Sequence, residues 1–170
     1  PVAVNLSVQQ LSDPRLLATV QRCLRQHDVP ATLLELEVTE SSLFIESTTP
    51  MNTLNKLRAQ GVKISIDDFG TGYSSLSRLS RLAFDKIKID KSFIDDIAKN
   101  PDTAVFVKMI VNLSHDLHIA VCAEGVEEQV QFDILRDLET DVIQGYYFGR
   151  PMPSDKFEEK FLSEKLQSVK

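Results

Sequence analysis

Asp67 and Asp68 stand side by side at the end of a β-type run, Lys63-Ile64-Ser65-Ile66. A loop carrying Gly70 and Gly72 follows at once, and a helix-like run begins near Ser74. Two acids at the C-terminal end of a strand, under a flexible loop, suit a cation site. Taken alone, the stretch reads equally well as a polar strand-to-helix turn, with Asp68 or Ser74 as an ordinary helix cap. The balance moves because Asn5, Glu37, Lys88, Glu124 and Gln144 each stand at the end of a β-type run of their own. Asn5, Glu37 and Asp67 are hard oxygen donors with no Cys or His among them, a set suited to Mg²⁺ or Mn²⁺ and not to structural zinc. Asp68 is placed to hold a second ion, and two ions about 4 Å apart can activate a water and stabilise phosphoryl and leaving oxygens. Lys88 would orient that water or neutralise phosphate; its bland role is an internal salt bridge to Glu37 or Asp67. Glu124 is a candidate general base or metal-associated carboxylate, or else an acid capping the loop before Gly125. Gln144 would hydrogen-bond a ligand, or simply fix the turn at Gly145.

The elements that must position these groups alternate along the chain. β-type runs are read at Ala3–Leu6, Leu34–Val38, Lys63–Asp67, Lys86–Asp90, Ile119–Ala123 and Val142–Tyr146. Helix-type runs are read at Asp13–His27, Thr48–Gln60, Ser74–Arg81, Thr103–Leu117, Glu128–Leu138 and Ser154–Leu166. Strands separated by helices imply parallel pairing and right-handed crossovers. Alternate residues of a strand face opposite sides. Ile64 and Ile66 therefore oppose Lys63, Ser65 and Asp67; Leu34, Leu36 and Val38 oppose Glu35 and Glu37; Ile87 and Ile89 oppose Lys86, Lys88 and Asp90; Val2, Val4 and Leu6 oppose Ala3 and Asn5. A doubly wound sheet, covered by helices on both sides, needs strands that are apolar on both faces. One aliphatic and one polar face instead fits an α/β, TIM-like (β/α) barrel with its helices outside. A full eight-unit barrel takes about 250 residues, so about six βα units make it incomplete, with two strands expected to be missing from the N-terminal side. In such barrels the active site lies at the C-terminal ends of the strands, where all the candidates above converge.

Composition bounds the rest. With 170 residues, 42% hydrophobic and 26% charged, the chain has the composition of one soluble globular domain, of which residues 1–170 are expected to be the C-terminal portion. No apolar run approaches the roughly 18 residues of a membrane span, and no signal peptide is legible. Cys23 and Cys122 make neither a metal pattern nor a disulfide framework, which points to a reducing cytoplasm. A net charge of −6 argues against a DNA or RNA duplex as partner, but not against an anionic ligand bridged by metal ions. His115 and His118 close a helix and are not read as ligands. No Walker-type loop, nucleophile elbow or CxxC pair occurs.

The segments NLS (5–7), EVTES (37–41), DDFGTGYSSL (67–76), KIDKSFI (88–94), AEGVE (123–127) and QGYYFGRPMP (144–153) resemble, in order and spacing, the EAL domain of bacterial cyclic-di-GMP phosphodiesterases. The resemblance implies a metal-dependent hydrolase that opens cyclic-di-GMP to linear pGpG, with two Mg²⁺ or Mn²⁺ ions in the complete domain. It implies metal ligation by Asn5, Glu37 and Asp67, a second-metal role for Asp68, water contact by Lys88, and a base or metal-bridging role for Glu124. Gln144 matches an active-site glutamine, Glu40 a glutamate anchoring the loop Phe69–Ser75, and Glu127 a further acidic position. The Glu-Ala-Leu tripeptide itself is absent. In the family its glutamate ligates metal, so the isolated chain is expected to bind metal poorly and to be inactive or nearly so. The competing readings are a non-catalytic cyclic-di-GMP receptor and a dimerisation or scaffold module using an apolar stripe at Leu76, Leu79 and Leu82. A homodimer is expected, as are upstream sensory or GGDEF domains in a parent protein that is cytoplasmic or held at the inner membrane. Open barrel edges are further expected to promote strand exchange or aggregation.

Overall fold

Period-two patterning produces six strands: β1 (Val2–Asn5), β2 (Leu34–Thr39), β3 (Lys63–Phe69), β4 (Lys86–Ile89), β5 (Ala120–Ala123) and β6 (Val142–Ile143). The computed structural model describes residues 1–40, 42, 48–71 and 84–161. Within them the strands form one sheet whose spatial order is the order along the chain. Every pairing is parallel. A doubly wound sheet reverses at a switch point; this one keeps adding strands on the same side, and it curls into half of a TIM-like barrel with β1 and β6 as its edges.

The helices are α1 (Val8–Leu11), α2 (Leu16–Gln26), α3 (Thr48–Arg58), α4 (Lys91–Asp96), α5 (Pro101–Asp116), α6 (Gln129–Asp137) and α7 (Ser154–Phe161). Their starts follow local chemistry. Asn100 accepts the Asp102 N–H at 3.0 Å with Pro101 in the first turn, which opens α5 two residues before the sequence pattern places it. In α5, Val107, Ile110, Val111 and Ser114 are buried at helical spacing. They pack over the outward faces of the strands, where Leu36, Val38, Ile64, Ile66, Ile87, Ile89 and Val121 form the core with Leu54, Leu57 and Leu135.

Three differences from the sequence pattern have physical causes. Val2 and Val4 were expected under helices but are 68% and 46% exposed, because β1 is an edge strand whose outward face meets solvent. α1 and α4 went unread: they have four and six residues, too few for a period to show, and form on caps from Ser7 and Asp90. β6 stops at Ile143, short of Tyr146, because the Gly145 backbone turns against Val126; a Cβ there would lie 2.1 Å from the Val126 carbonyl oxygen. The expected helix Ser74–Arg81, the stripe at Leu76, Leu79 and Leu82, and the end of the last helix lie outside the described residues.

Candidate active site

The end of β4 delivers Lys88 into the sheet's concave face, with its residue 5% exposed. Its Nζ lies 2.7 Å from Glu37 Oε1, 3.0 Å from Asp67 Oδ1 and 2.7 Å from Glu124 Oε1. β2, β3 and β5 thus each send one carboxylate to a single ammonium. The strand register explains how residues at different levels meet. Glu37 pairs with Ser65, so Asp67 stands two residues further along. Lys88 pairs with Cys122, so Glu124 likewise stands two further. This climb is the stagger that tilted barrel strands impose.

Burial alone would lower the Lys88 pKa, but hydrogen bonds to Glu124 and Glu37 and the nearby charge of Asp67 outweigh it and hold the ammonium above its ordinary range. Burial pushes the Glu124 carboxyl up; Lys88 pulls against that, and Asp67 and Glu37 add to it. Three carboxylates facing one ammonium leave the cluster with excess negative charge. Asp67 Oδ1 is buried and, although close to Nζ, has no donor in hydrogen-bond geometry. A buried acceptor with an open lone pair, among oxygen donors only, fits a hard divalent cation. Among the described residues no three His, Cys, Asp or Glu side chains already form a metal cage; here the carboxylates gather on Lys88.

The neighbouring candidates take distinct places. Asn5 ends β1 in register with Glu37, at the exposed edge. Asp68 sits at the register break of β3 with φ +55°, a left-handed conformation that Asp tolerates better than most residues. Burial, then Asp67 and Asp90, raise its pKa, against Lys88. Glu40, 4% exposed, accepts the Gly70 N–H at 3.1 Å, tying the end of β2 to the loop after β3. Gln144 donates its N–H to the Ala123 carbonyl at 2.9 Å, and its own carbonyl accepts the Val126 N–H at 3.1 Å. Gln144 lines an open cleft of about 590 Å³ with Tyr146, Phe148, Arg150, Phe157 and Phe161. Glu127 is exposed and ion-paired with Lys91. The structure therefore brings Glu37, Asp67, Lys88 and Glu124 into contact, seats Asn5 and Asp68 on adjoining backbone, and keeps Gln144, Glu40 and Glu127 out of the direct cluster. His115 is not at this mouth; its Nε2 lies 2.9 Å from Asp141.

The sequence reading missed the layer beneath. Lys86 Nζ pairs with Glu35 at 2.7 and 2.9 Å, and Cys122 lies buried nearby with burial pushing its thiol up to about 12. The signal was present: Glu35 and Lys86 stand two residues before Glu37 and Lys88, on the same face.

The chain matches the EAL domain family model over residues 1–151. It is 43% identical over 155 residues to the bifunctional diguanylate cyclase/cyclic di-GMP phosphodiesterase MucR of Pseudomonas aeruginosa, covering 91% of this chain and 23% of MucR. The solved PaMucR phosphodiesterase, a c-di-GMP complex, superposes with a TM-score of 0.86 at 42% identity, covering 91% of this chain and 63% of that one. Klebsiella pneumoniae BlrP1, in a manganese/cy-diGMP complex, gives 0.81 at 33% identity, covering 88% and 38%. The chain spans about a fifth of the length of the curated relatives it matches. Coverage of nearly the whole chain by one family model, with the carboxylate and lysine ends of four strands meeting at one mouth, places it plainly: the chain belongs to the EAL domain family.

Proposed function

We propose that residues 1–170 are part of one EAL domain that hydrolyses cyclic-di-GMP to linear pGpG, with Mg²⁺ or Mn²⁺ held by Asn5, Glu37, Asp67 and Asp68. The observation that carries this reading is the convergence of Glu37, Asp67 and Glu124 on Lys88. The relatives' names and the manganese complex support it. Divalent ions would supply positive charge to the phosphodiester and lower the pKa of the attacking water. Water adds to phosphorus, one P–O3′ bond breaks, and a 5′-phosphomonoester and a 3′-hydroxyl result. Glu124 accepts the water's proton; burial raises its pKa, which makes it a stronger base. Lys88 keeps its proton, holds the water and Glu124 in line, and offsets charge gathering on phosphate oxygens. Asp68 would help to hold a second ion, supplying it with an oxygen donor. Gln144 contacts the substrate from the cleft, while Glu40 anchors the loop after β3 and Glu127 the loop after β5.

The reading also takes the parent protein as a homodimer with further signalling domains. No helix among the described residues is long and apolar enough to cross a membrane. The test is product analysis of cyclic-di-GMP incubated with Mn²⁺ and the full-length protein carrying this chain. pGpG should accumulate, and Glu124→Gln should lower kcat by about 10²–10⁴-fold. Tight cyclic-di-GMP binding without turnover would instead identify a receptor. The 170-residue chain alone should turn over slowly or not at all; a rate equal to the full protein's would refute that part of the reading.

A further inference from the structure

Two ion pairs join the same two turns. Lys88, at the end of β4, meets Glu124, at the end of β5. Three residues further along both segments, Lys91 meets Glu127. The first pair is buried and the second lies at the rim, with side chains 47% and 43% exposed. The aliphatic stem of Lys91 crosses Gly125: a Cβ on that glycine would lie 2.4 Å from Lys91 Cγ and 2.7 Å from Cδ. Gly125 also has φ +72°, so the stem and the backbone both require glycine there. The rest of the 124–127 loop is fastened on its other sides. Val126 donates its N–H to the Gln144 carbonyl at 3.1 Å, and its own carbonyl accepts the Tyr147 N–H at 3.0 Å. Gln131 Oε1 accepts the N–H groups of Glu127 and Glu128 at 2.8 and 3.0 Å, and its Nε2 donates to the Ile94 carbonyl at 3.1 Å. Lys91 lies over the glycine that directly follows Glu124.

We propose that Lys91 is a positioning residue: its stem and its ion pair strap the 124–127 loop so that Glu124 stays on Lys88. The catalytic half of this statement rests on the hydrolytic reading above. Magnitudes separate the strap from a stability role. An exposed ion pair contributes about 0–1 kcal/mol to folding, so removing it leaves the domain folded. A reacting group displaced by about 1 Å loses on the order of 10²-fold in rate. Lys91 acts on the geometry of Glu124 and not on the reacting atoms, so its loss falls on kcat.

The experiment compares wild type, Lys91→Gln and Lys91→Arg in the full-length protein, reading kcat and KM for cyclic-di-GMP with Mn²⁺ and amide hydrogen exchange at Val126 and Glu127. Lys91→Gln should lower kcat by 10-fold or more, on the scale expected for displaced groups, with KM little changed. It should speed exchange at Val126 and Glu127 while leaving β2 and β3 amides as they were. Lys91→Arg, which keeps a stem and a charge, should restore both readouts. A Lys91→Gln enzyme with wild-type kcat, or one changed only in KM, overturns the catalytic half. Unchanged exchange at Val126 and Glu127 overturns the strap itself, and that readout holds even if the wild-type protein proves to hydrolyse nothing.

Discussion

The two ends of the strands use carboxylates in opposite ways. At the N-terminal end, Asp85 directly precedes β4 and accepts the N–H of Ile64 on the neighbouring strand at 3.0 Å, with Arg58 and Lys63 at 3.3 Å. Asp141 repeats the device before β6, accepting the Val121 N–H at 2.7 Å with His115 at 2.9 Å. In both, burial is outweighed by donors and the pKa falls. At the C-terminal mouth, three carboxylates share one ammonium, an Asp67 oxygen has no donor, and the pKa values of Glu124 and Asp68 rise. The base satisfies its charges and holds strands in register. The mouth leaves acceptor capacity open, which favours a ligand over stability, as expected for the active end of a barrel.

Removing the shared ammonium should give the largest effect. Lys88→Met leaves Glu37, Asp67 and Glu124 facing one another with no cation, and breaking a buried pair in this way costs about 3–5 kcal/mol. Urea unfolding of the variant should show a lower midpoint with an unchanged slope. A midpoint equal to wild type would mean the carboxylates have another route to water, and the contrast between mouth and base would fail.

At the base, Asp85→Ala strands the Ile64 N–H and removes the counter-charge of Arg58 and Lys63. A buried donor left unsatisfied costs about 1–3 kcal/mol, measurable in the same melts. Turnover of the variant that still folds should be unchanged, because no group at Lys88 is touched.

Acid should set the two ends against each other. Asp85 and Asp141 have pKa values lowered from 3.8. Their contribution is present above that value and is lost as pH falls through the lower folded one. Glu124 and Asp68 are raised from 4.5 and 3.8. Their contribution is full below those values and is lost as pH rises through the raised ones. Thermal melts between about pH 2 and 6 should therefore show an acid limb that Asp85→Asn flattens, and a small rise in stability on the way down that Glu124→Gln removes. The same acid sensitivity in wild type and Asp85→Asn would show that the base is not the acid-labile end.

Much of this layout was legible because strand parity is strict. Ile64, Ile66, Ile87 and Ile89 went outward and Glu37, Asp67 and Lys88 inward, as the period requires. The pattern had no means of showing that Val2 and Val4 lie on an exposed edge, since parity names a face and not what covers it. It also missed the caps at Asp85 and Asp141, because each acts on an N–H of a neighbouring strand about twenty residues away in sequence. Lys91 escaped for a related reason: its contact with Gly125 exists only once the β4 and β5 ends lie side by side. Residue type and strand position had already offered a metal-binding set and, as the plainer role for Lys88, an internal salt bridge to Glu37 or Asp67; both ion pairs form, and Glu124 joins them.

Asp68 supplies the finest test, since it sits between the two behaviours. Its residue is largely exposed, its conformation is left-handed, and its pKa is raised by partial desolvation and by Asp67 and Asp90. Asn accepts the same conformation and removes the charge that Asp67 and Asp90 oppose. Asp68→Asn should therefore stabilise the metal-free protein at neutral pH, by no more than about 0.5 kcal/mol as for other surface changes. If Asp68 helps hold an ion, the order must reverse when Mn²⁺ is added: wild type gains stability by ligand linkage, and Asp68→Asn gains less. A crossing of the two melting temperatures with metal concentration would show one carboxylate acting against the fold when alone and for it when its ion is bound. Parallel curves would show that Asp68 belongs with the base, as an ordinary turn residue.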